Sequence, residues 1–218
     1  MSSTVANRLP GHLRVPRDPA QILGSLWFLA LAVILVWPDA RPIPGLVQAL
    51  SRYCLVLFYV ILSLLLVLRP PAKARATGII PGVVAFAGTY LPWTIPLFPR
   101  HGSLALNLCS SGLFLLGLAL SIATVTQLGR SFSLVPQARS LVRRGPYRWI
   151  RHPLYLAEEI AVVGSLLQFF SIVTLSIVLM HGLLQLCRIH YEESLLHETF
   201  PEYAAYARES WRLIPLFW

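Results

Sequence analysis

The sequence predicts an all-α, multi-pass integral membrane helical bundle of about six transmembrane helices. Three observations carry this reading. Hydrophobic residues make up 56% of the 218 and charged residues only 12%, whereas about a quarter of a soluble domain is charged. Apolar runs close to the roughly 20 residues that cross a bilayer recur along the chain. Fifteen of the eighteen Lys and Arg residues fall in segments that six crossings place on one side of the membrane, as the positive-inside rule expects of the cytoplasmic face.

The segment 1–19 is polar, carries Arg8, Arg14 and Arg17, and reads as a cytoplasmic N-terminal segment rather than a signal peptide. A first span is expected over 20–37, closed by Pro38 and Asp39, and a second over 50–68, ended by Arg69-Pro70-Pro71. The third, over 78–98, contains Pro81, Pro92 and Pro96, which predicts a kinked or broken helix. The fourth, over 103–127, offers Ser110, Ser111, Gly112, Gly117 and Ala119, residues small enough for close helix packing.

A polar loop, 128–152, follows, and Pro153 then suits a first helical turn. The runs 154–170 and 171–187 are separated only by Phe169-Phe170-Ser171, so spans five and six read as a tight helical hairpin. The sixth continues as an amphipathic helix to about Phe200, and the tail 201–218 lies at the surface. The domains are therefore 1–19, a bundle of four spans over 20–127, and a region 128–218 holding the last two spans and the tail.

The net charge of +9 resides in short loops, where it sets topology and meets anionic headgroups of the membrane lipids; no soluble basic patch suggests nucleic acid. Cys54, Cys109 and Cys187 are isolated, so neither disulfides nor a zinc site is expected. No internal repeat is visible, which argues against an inverted-repeat transporter. Oligomeric state is not legible.

The most polar and basic stretch is 141–155, with Arg143, Arg144, Arg148 and Arg151 beside Tyr147, His152 and Tyr155. In span six, His181, Gln185, Arg188 and Glu192 are spaced 4, 3 and 4, one helical face. Such a stripe must meet a cavity, a ligand or other polar groups, because lipid does not solvate it. The plainer alternative is an Arg188–Glu192 ion pair at the helix exit, with Arg188 snorkelling to the headgroups. His190, Glu193 and His197 also share a face, but without a second histidine cluster a solvated face is the better reading than a metal site. There is neither a GxSxG elbow nor a glycine-rich nucleotide loop.

Gly145-Pro146-Tyr147, Arg151-His152-Pro153-Leu154-Tyr155, Arg188-x-x-x-Glu192-Glu193, Phe200-x-Glu202-Tyr203-x-x-Tyr206 and Leu213-Ile214-Pro215 together resemble the isoprenylcysteine carboxyl methyltransferase family. Phospholipid N-methyltransferases are its broader relatives. The resemblance covers 128–215 and implies an integral membrane enzyme using S-adenosylmethionine, bound in a cytoplasmic cofactor-binding cap. It implies that Ser140, Leu141, Val142, Tyr147, His152, Pro153, Leu154 and Tyr155 line the cofactor, that Glu192 holds its amino-acid end, and that Arg188 faces the substrate near the transferred methyl. Both Arg188 and Glu192 then count as catalytic.

The implied acceptor is a lipophilic small molecule or lipidated substrate, with a carboxylate favoured. An amine or thiol stands behind it, and the glycine-x-glycine stretch of the phospholipid enzymes is not seen near Tyr147. Two positions depart from the family. Arg139 stands where a histidine is usual, and Ala157 followed by Glu158-Glu159 where a glycine is usual. The two glutamates read first as helix-capping charges and second as groups that tune the acceptor pocket. Two other functions remain: a nicotinamide-dependent reductase of the sterol-reductase type, its dinucleotide held by the arginines, and a non-catalytic lipid- or partner-binding scaffold indifferent to Glu192→Ala and His152→Ala.

Overall fold

The computed structural model of the chain describes residues 19–36, 46–100 and 102–216. The N-terminal arginines, the expected Pro38-Asp39 stop and Arg41 lie outside these residues. Seven helices and one minimal sheet are described: α1 (Pro19–Val36), α2 (Leu46–Leu68), β1 (Ala74–Arg75), α3 (Ile80–Tyr90), α4 (Leu104–Leu128), β2 (Gln137–Ala138), α5 (Pro153–Gln168), α6 (Ile172–Thr199) and α7 (Tyr203–Glu209). Four stretches are long and apolar enough to cross a membrane: Ala49–Leu68, Ile80–Leu97, Leu104–Ser131 and Ile172–Thr199. The apolar helix over Gln21–Val36 and the 16-residue α5 are shorter. The chain is thus an all-α membrane bundle, with four full-length spans among the described residues where six were expected.

Inside a bilayer every polar group needs a partner within the protein, and the first hairpin shows how this is met. Ser63 Oγ donates to Ser25 O at 2.9 Å and Gln21 Nε2 to Val67 O at 3.0 Å, tying α1 antiparallel to α2. Phe28 stacks on Tyr59 between them, 6.0 Å between centroids.

The expected break in span three is real. α3 stops at Tyr90 and the chain continues as 3-10 turns over Leu91–Leu97, with Pro96 inside them. Pro81 sits in the first turn of α3, where its missing N–H costs nothing. Pro92 is the proline with a structural consequence, because it has no N–H to offer Gly88 O four residues earlier. That carbonyl instead accepts from His181 Nδ1 of α6 at 2.9 Å.

α4 and α5 pack backbone to backbone. A side chain at Gly117 would lie 2.7 Å from Ala157 O, and one at Gly164 would lie 2.7 Å from Phe114 N. Ser110 Oγ donates to Gly164 O at 2.6 Å across the same seam. Of the small residues noted in span four, Ser110 and Gly117 make this contact, whereas Gly112 faces open space and Ala119 is exposed.

The turn between α5 and α6 is tight. Ser171 and Thr174 form a reciprocal capping box, and Thr174 Oγ1 donates to Phe169 O at 2.7 Å. Away from that turn the two helices face each other through long side chains, because Tyr155, Glu158 and Glu159 meet Gln185, Arg188 and Glu192 where small residues would be needed for close approach. Of these, Tyr155, Glu158, Arg188 and Glu192 border the cavity described below.

The loop segments knit into a cap at one end of the bundle. β1 pairs antiparallel with β2, Ala74 opposite Ala138. Arg130 Nε donates to Leu68 O at 2.6 Å and Arg139 Nε to Pro70 O at 2.9 Å. Arg139, where a histidine was the family's habit, is therefore a strut between this loop and the end of α2. Tyr203 and Tyr206 of α7 bury against Ala138, Leu195 and Phe200. The tail is strapped onto the polar loop by Arg151 N donating to Trp211 O and His152 N to Arg212 O, at 2.8 and 3.1 Å.

Gly117→Val is expected to destabilise the protein by about 1–3 kcal/mol through overpacking, read as a lower unfolding midpoint in detergent. Gly112→Val, which meets nothing, is expected to leave that midpoint within error; equal losses would mean that the seam is not tight.

Candidate functional site

Glu193 is the electrostatic centre of the cap. Its Oε1 accepts from Arg151 Nε at 2.7 Å and lies 3.3 Å from His152 Nε2, and its Oε2 is 2.6 Å from Arg212 Nη2. Arg151 Nη1 also donates to Ala207 O and Ser210 O at 2.6 and 2.5 Å. One carboxylate thus joins α6, the polar loop and the tail. Sequence reading placed Glu193 on a solvated face in preference to a metal site, and the structure corrects this: Glu193 is buried, and its signal was its place beside Glu192 in the motif. Among the described residues, no group of three or more His, Cys, Asp or Glu is positioned to hold a metal ion.

His152 and Tyr155, at the start of α5, present a continuous wall. Their rings stack at 5.6 Å with a 4° interplanar angle. The Tyr155 hydroxyl donates to Glu192 Oε1, and His152 Nδ1 lies 3.9 Å from Glu192 Oε2. Glu192 itself remains about a quarter exposed, so the carboxylate is held in place yet reachable. The expected alternative of an Arg188–Glu192 ion pair is not what forms: among the described residues Glu192 pairs with Tyr155 and Arg188 turns elsewhere.

Beside this wall opens a cavity of about 590 Å³. Ser140, Leu141, Val142, Tyr147, His152, Leu154, Tyr155, Arg188 and Glu192 all border it. Pro153 is the one expected site residue that does not; it starts α5, buried behind the wall. The Tyr147 hydroxyl is buried without a hydrogen-bond partner among the described residues. Burial, with Glu192 and Tyr206 nearby, holds its phenol far above the usual range, so the group is a standing donor. Tyr206, raised to about 12 chiefly by burial, donates to Tyr147 O at 2.6 Å and fixes that turn.

Deeper in, the cavity wall stays polar on the α5–α6 side. Arg188 is 4% exposed, lies 4.6 Å over the Tyr155 ring and packs on Gly88, where an added Cβ would stand 3.0 Å from its Cδ. Its Nη1 donates to Gln185 Oε1 at 3.0 Å, and Gln185 Nε2 donates to Glu158 Oε2 at 2.8 Å. Glu159 lies 3.1 Å from His181 Nε2. The helix-capping reading of Glu158 and Glu159 is thereby corrected. Both lie beyond the first turn of α5, which has no acidic residue, and both reach across to the stripe on α6. The far end of the cavity is apolar, walled by Phe28, Leu55, Phe58, Leu62 and Trp93.

The helical membrane bundle thus holds a cavity that joins a polar mouth, bordered by Arg139, Arg151 and Glu192, to an apolar chamber. Residues 110–198, from α4 to the end of α6, match the model of the Isoprenylcysteine carboxyl methyltransferase (ICMT) family. The match takes in the loop and stripe motifs and ends before the tail motif at 200–215. The chain is also similar to the cobalt-zinc-cadmium resistance protein CzcN of Cupriavidus metallidurans, 31% identical over 124 residues, which are 56% of this chain and 51% of that protein. A second relative is the nickel-cobalt-cadmium resistance protein NccN of Alcaligenes xylosoxydans xylosoxydans, 32% identical over 124 residues and 58% of its length. The match thus spans only about half the length of each of these relatives.

Removing the buried charge of Glu193 takes from Arg151 and Arg212 the carboxylate that joins them. Glu193→Ala is expected to cost about 3–5 kcal/mol and to expose the tail to limited proteolysis after Tyr203. A tail as resistant as in the wild type would mean that the Trp211 and Arg212 backbone bonds suffice.

Proposed function

We propose that this chain is an S-adenosylmethionine-dependent membrane methyltransferase acting on a lipophilic acceptor. The observation that carries the reading is the reachable Glu192 carboxylate beside the unpartnered Tyr147 hydroxyl at the polar mouth of a cavity that continues into an aromatic chamber. A carboxylate suits the ammonium of the cofactor's amino-acid end, and the Tyr147 hydroxyl offers a donor that only a ligand would use. The stacked His152 and Tyr155 rings give a flat face for the adenosine, with Ser140, Leu141, Val142 and Leu154 closing around it. When bound, S-adenosylmethionine supplies a methyl group on a positively charged sulfur that leaves readily.

The protein's own part is alignment and exclusion of water. Glu192, fixed by Tyr155, orients one partner. Arg188, nearly out of contact with water, presents N–H donors to the other. Taken alone, the guanidinium favours an anionic acceptor such as the carboxylate implied by the family, with an amine or thiol as the alternatives. The concentration of Arg69, Lys73, Arg75 and the arginines of 130–151 in the loop segments between the helices supports placing the site and the tail on the cytoplasmic side.

Calorimetry with S-adenosylhomocysteine on the detergent-purified protein tests the reading. Micromolar binding is expected. Glu192→Ala should weaken it by about 1.5–3 kcal/mol and Tyr147→Phe by about 0.5–1.5 kcal/mol, the ranges for charged and neutral hydrogen bonds. A folded wild type that ignores S-adenosylhomocysteine but binds a nicotinamide dinucleotide would replace this reading with a reductase.

A further inference from the structure

We propose that a groove formed by Arg130, Arg143 and Arg144 is a site for the headgroup of one anionic phospholipid, and that filling it strengthens cofactor binding on the other side of its wall. The lipid site stands apart from the methyltransferase reading; the coupling to the cofactor rests on it.

The groove lies where α4 gives way to the polar loop. Its lining holds three arginines, two serines and no acidic residue. Each guanidinium is steadied by a main-chain carbonyl. Arg130 Nε donates to Leu68 O at 2.6 Å, Arg143 Nη2 to Glu202 O at 2.7 Å, and Arg144 Nε and Nη2 to Gln127 O at 3.4 Å. Arg143 also lies over the Tyr206 ring, 5.4 Å from its centroid. These bonds use one or two of the five N–H groups of each arginine. None of the three is ion-paired with a carboxylate among the described residues, and Glu202 meets Arg143 through its carbonyl. The C-terminal end of α4 borders the groove too, but it carries only about half a negative charge against three full positive ones. The groove is therefore short of an anion, and the guanidinium fork matches the oxygens of a phosphate.

Depth selects a lipid over a soluble anion. The spans Ala49–Leu68 and Leu104–Ser131 both end here, and the bond from Arg130 to Leu68 O ties their ends together. The end of a span marks the level at which hydrocarbon gives way to headgroups, and the phosphate of a lipid already lies there. Leu128, Leu141 and Val142 give the groove an apolar floor, which suits the junction of headgroup and acyl chains. A net negative headgroup is favoured over a zwitterionic one, whose ammonium would face the same arginines.

The coupling follows from a shared wall. Leu128, Ser131, Ser140, Leu141 and Val142 border both the groove and the cavity, so a single layer of residues separates the two. The Ser131 and Ser140 hydroxyls are hydrogen-bonded to each other within it. A headgroup that holds Arg143 and Arg144 orders the strip that immediately precedes them, and by linkage a cofactor that orders the strip favours the lipid in return.

Native mass spectrometry of the detergent-purified full-length protein counts bound lipid during titration with phosphatidylglycerol or phosphatidylcholine. It is run on the wild type, Arg144→Gln and Arg148→Gln. Arg144 is chosen because its long bonds contribute little to the fold; Arg148 is an exposed arginine of the same loop outside the groove. One phosphatidylglycerol is expected to bind at least about tenfold more tightly than phosphatidylcholine. Arg144→Gln is expected to lower its affinity about fivefold, and Arg148→Gln to leave it within error. Calorimetry in nanodiscs of each lipid is expected to show S-adenosylhomocysteine binding at least about fivefold tighter in phosphatidylglycerol, with the gain reduced by Arg144→Gln. Equal binding of the two lipids, or equal losses in the two variants, overturns the lipid site. A gain reproduced by glycerol 3-phosphate in phosphatidylcholine nanodiscs assigns the groove to a soluble phosphate and overturns it as well. Measurable S-adenosylhomocysteine binding that is the same in both lipids overturns the coupling alone. A folded protein that binds phosphatidylglycerol but not S-adenosylhomocysteine overturns the methyltransferase reading and the coupling, and leaves the lipid site standing.

Discussion

The cap of this protein hangs on one buried carboxylate. Glu193 receives Arg151 and Arg212, with His152 alongside, and these come from the polar loop and the far end of the chain. Without a counter-charge the two guanidinium groups would repel, and the backbone bridge from Ile150 to Trp211 would have to hold them together unaided. With it, the His152 ring is fixed beside Tyr155, and Tyr155 in turn fixes Glu192. The order of dependence runs from Glu193, which touches no ligand space, to Glu192, which does. Adjacent residues on a helix point in different directions, and here one faces the scaffold and its neighbour faces the cavity.

The membrane half obeys a different rule. No ion pair organises α4 against α5; glycine and alanine do, with Ser110 donating across the seam. Where α5 meets α6, long polar side chains hold the helices at arm's length. The cavity is a consequence of that contrast: the small residues lie on one face of α5 and the long ones on the other.

Much of this was legible in the chain. The proline-broken third span, the close-packing Gly117 and the stripe from His181 to Glu192 follow from spacing alone, since each expresses a local rule about helices in lipid. The joining of Tyr147, His152, Tyr155 and Glu192 around one cavity came from motif order, with Pro153 falling outside. What stayed hidden was pairing at a distance. Nothing local tells Glu193 that Arg212 will return to it, or tells Glu158 and Glu159 that they will span to Gln185 and His181 instead of sitting at the helix start. The shortness of α5, by contrast, was legible: the run 154–170 breaks at Phe169-Phe170-Ser171, and α5 ends at Gln168.

That shortness has a geometrical consequence. Sixteen residues rise about 24 Å, against a hydrocarbon slab of about 30 Å. If the Phe169 turn lies at one interface, the His152 end of α5 stops short of the other, the lipid around it would thin or dip to meet it, and the mouth of the cavity would be recessed below the headgroups, at the depth of a lipophilic molecule in the leaflet.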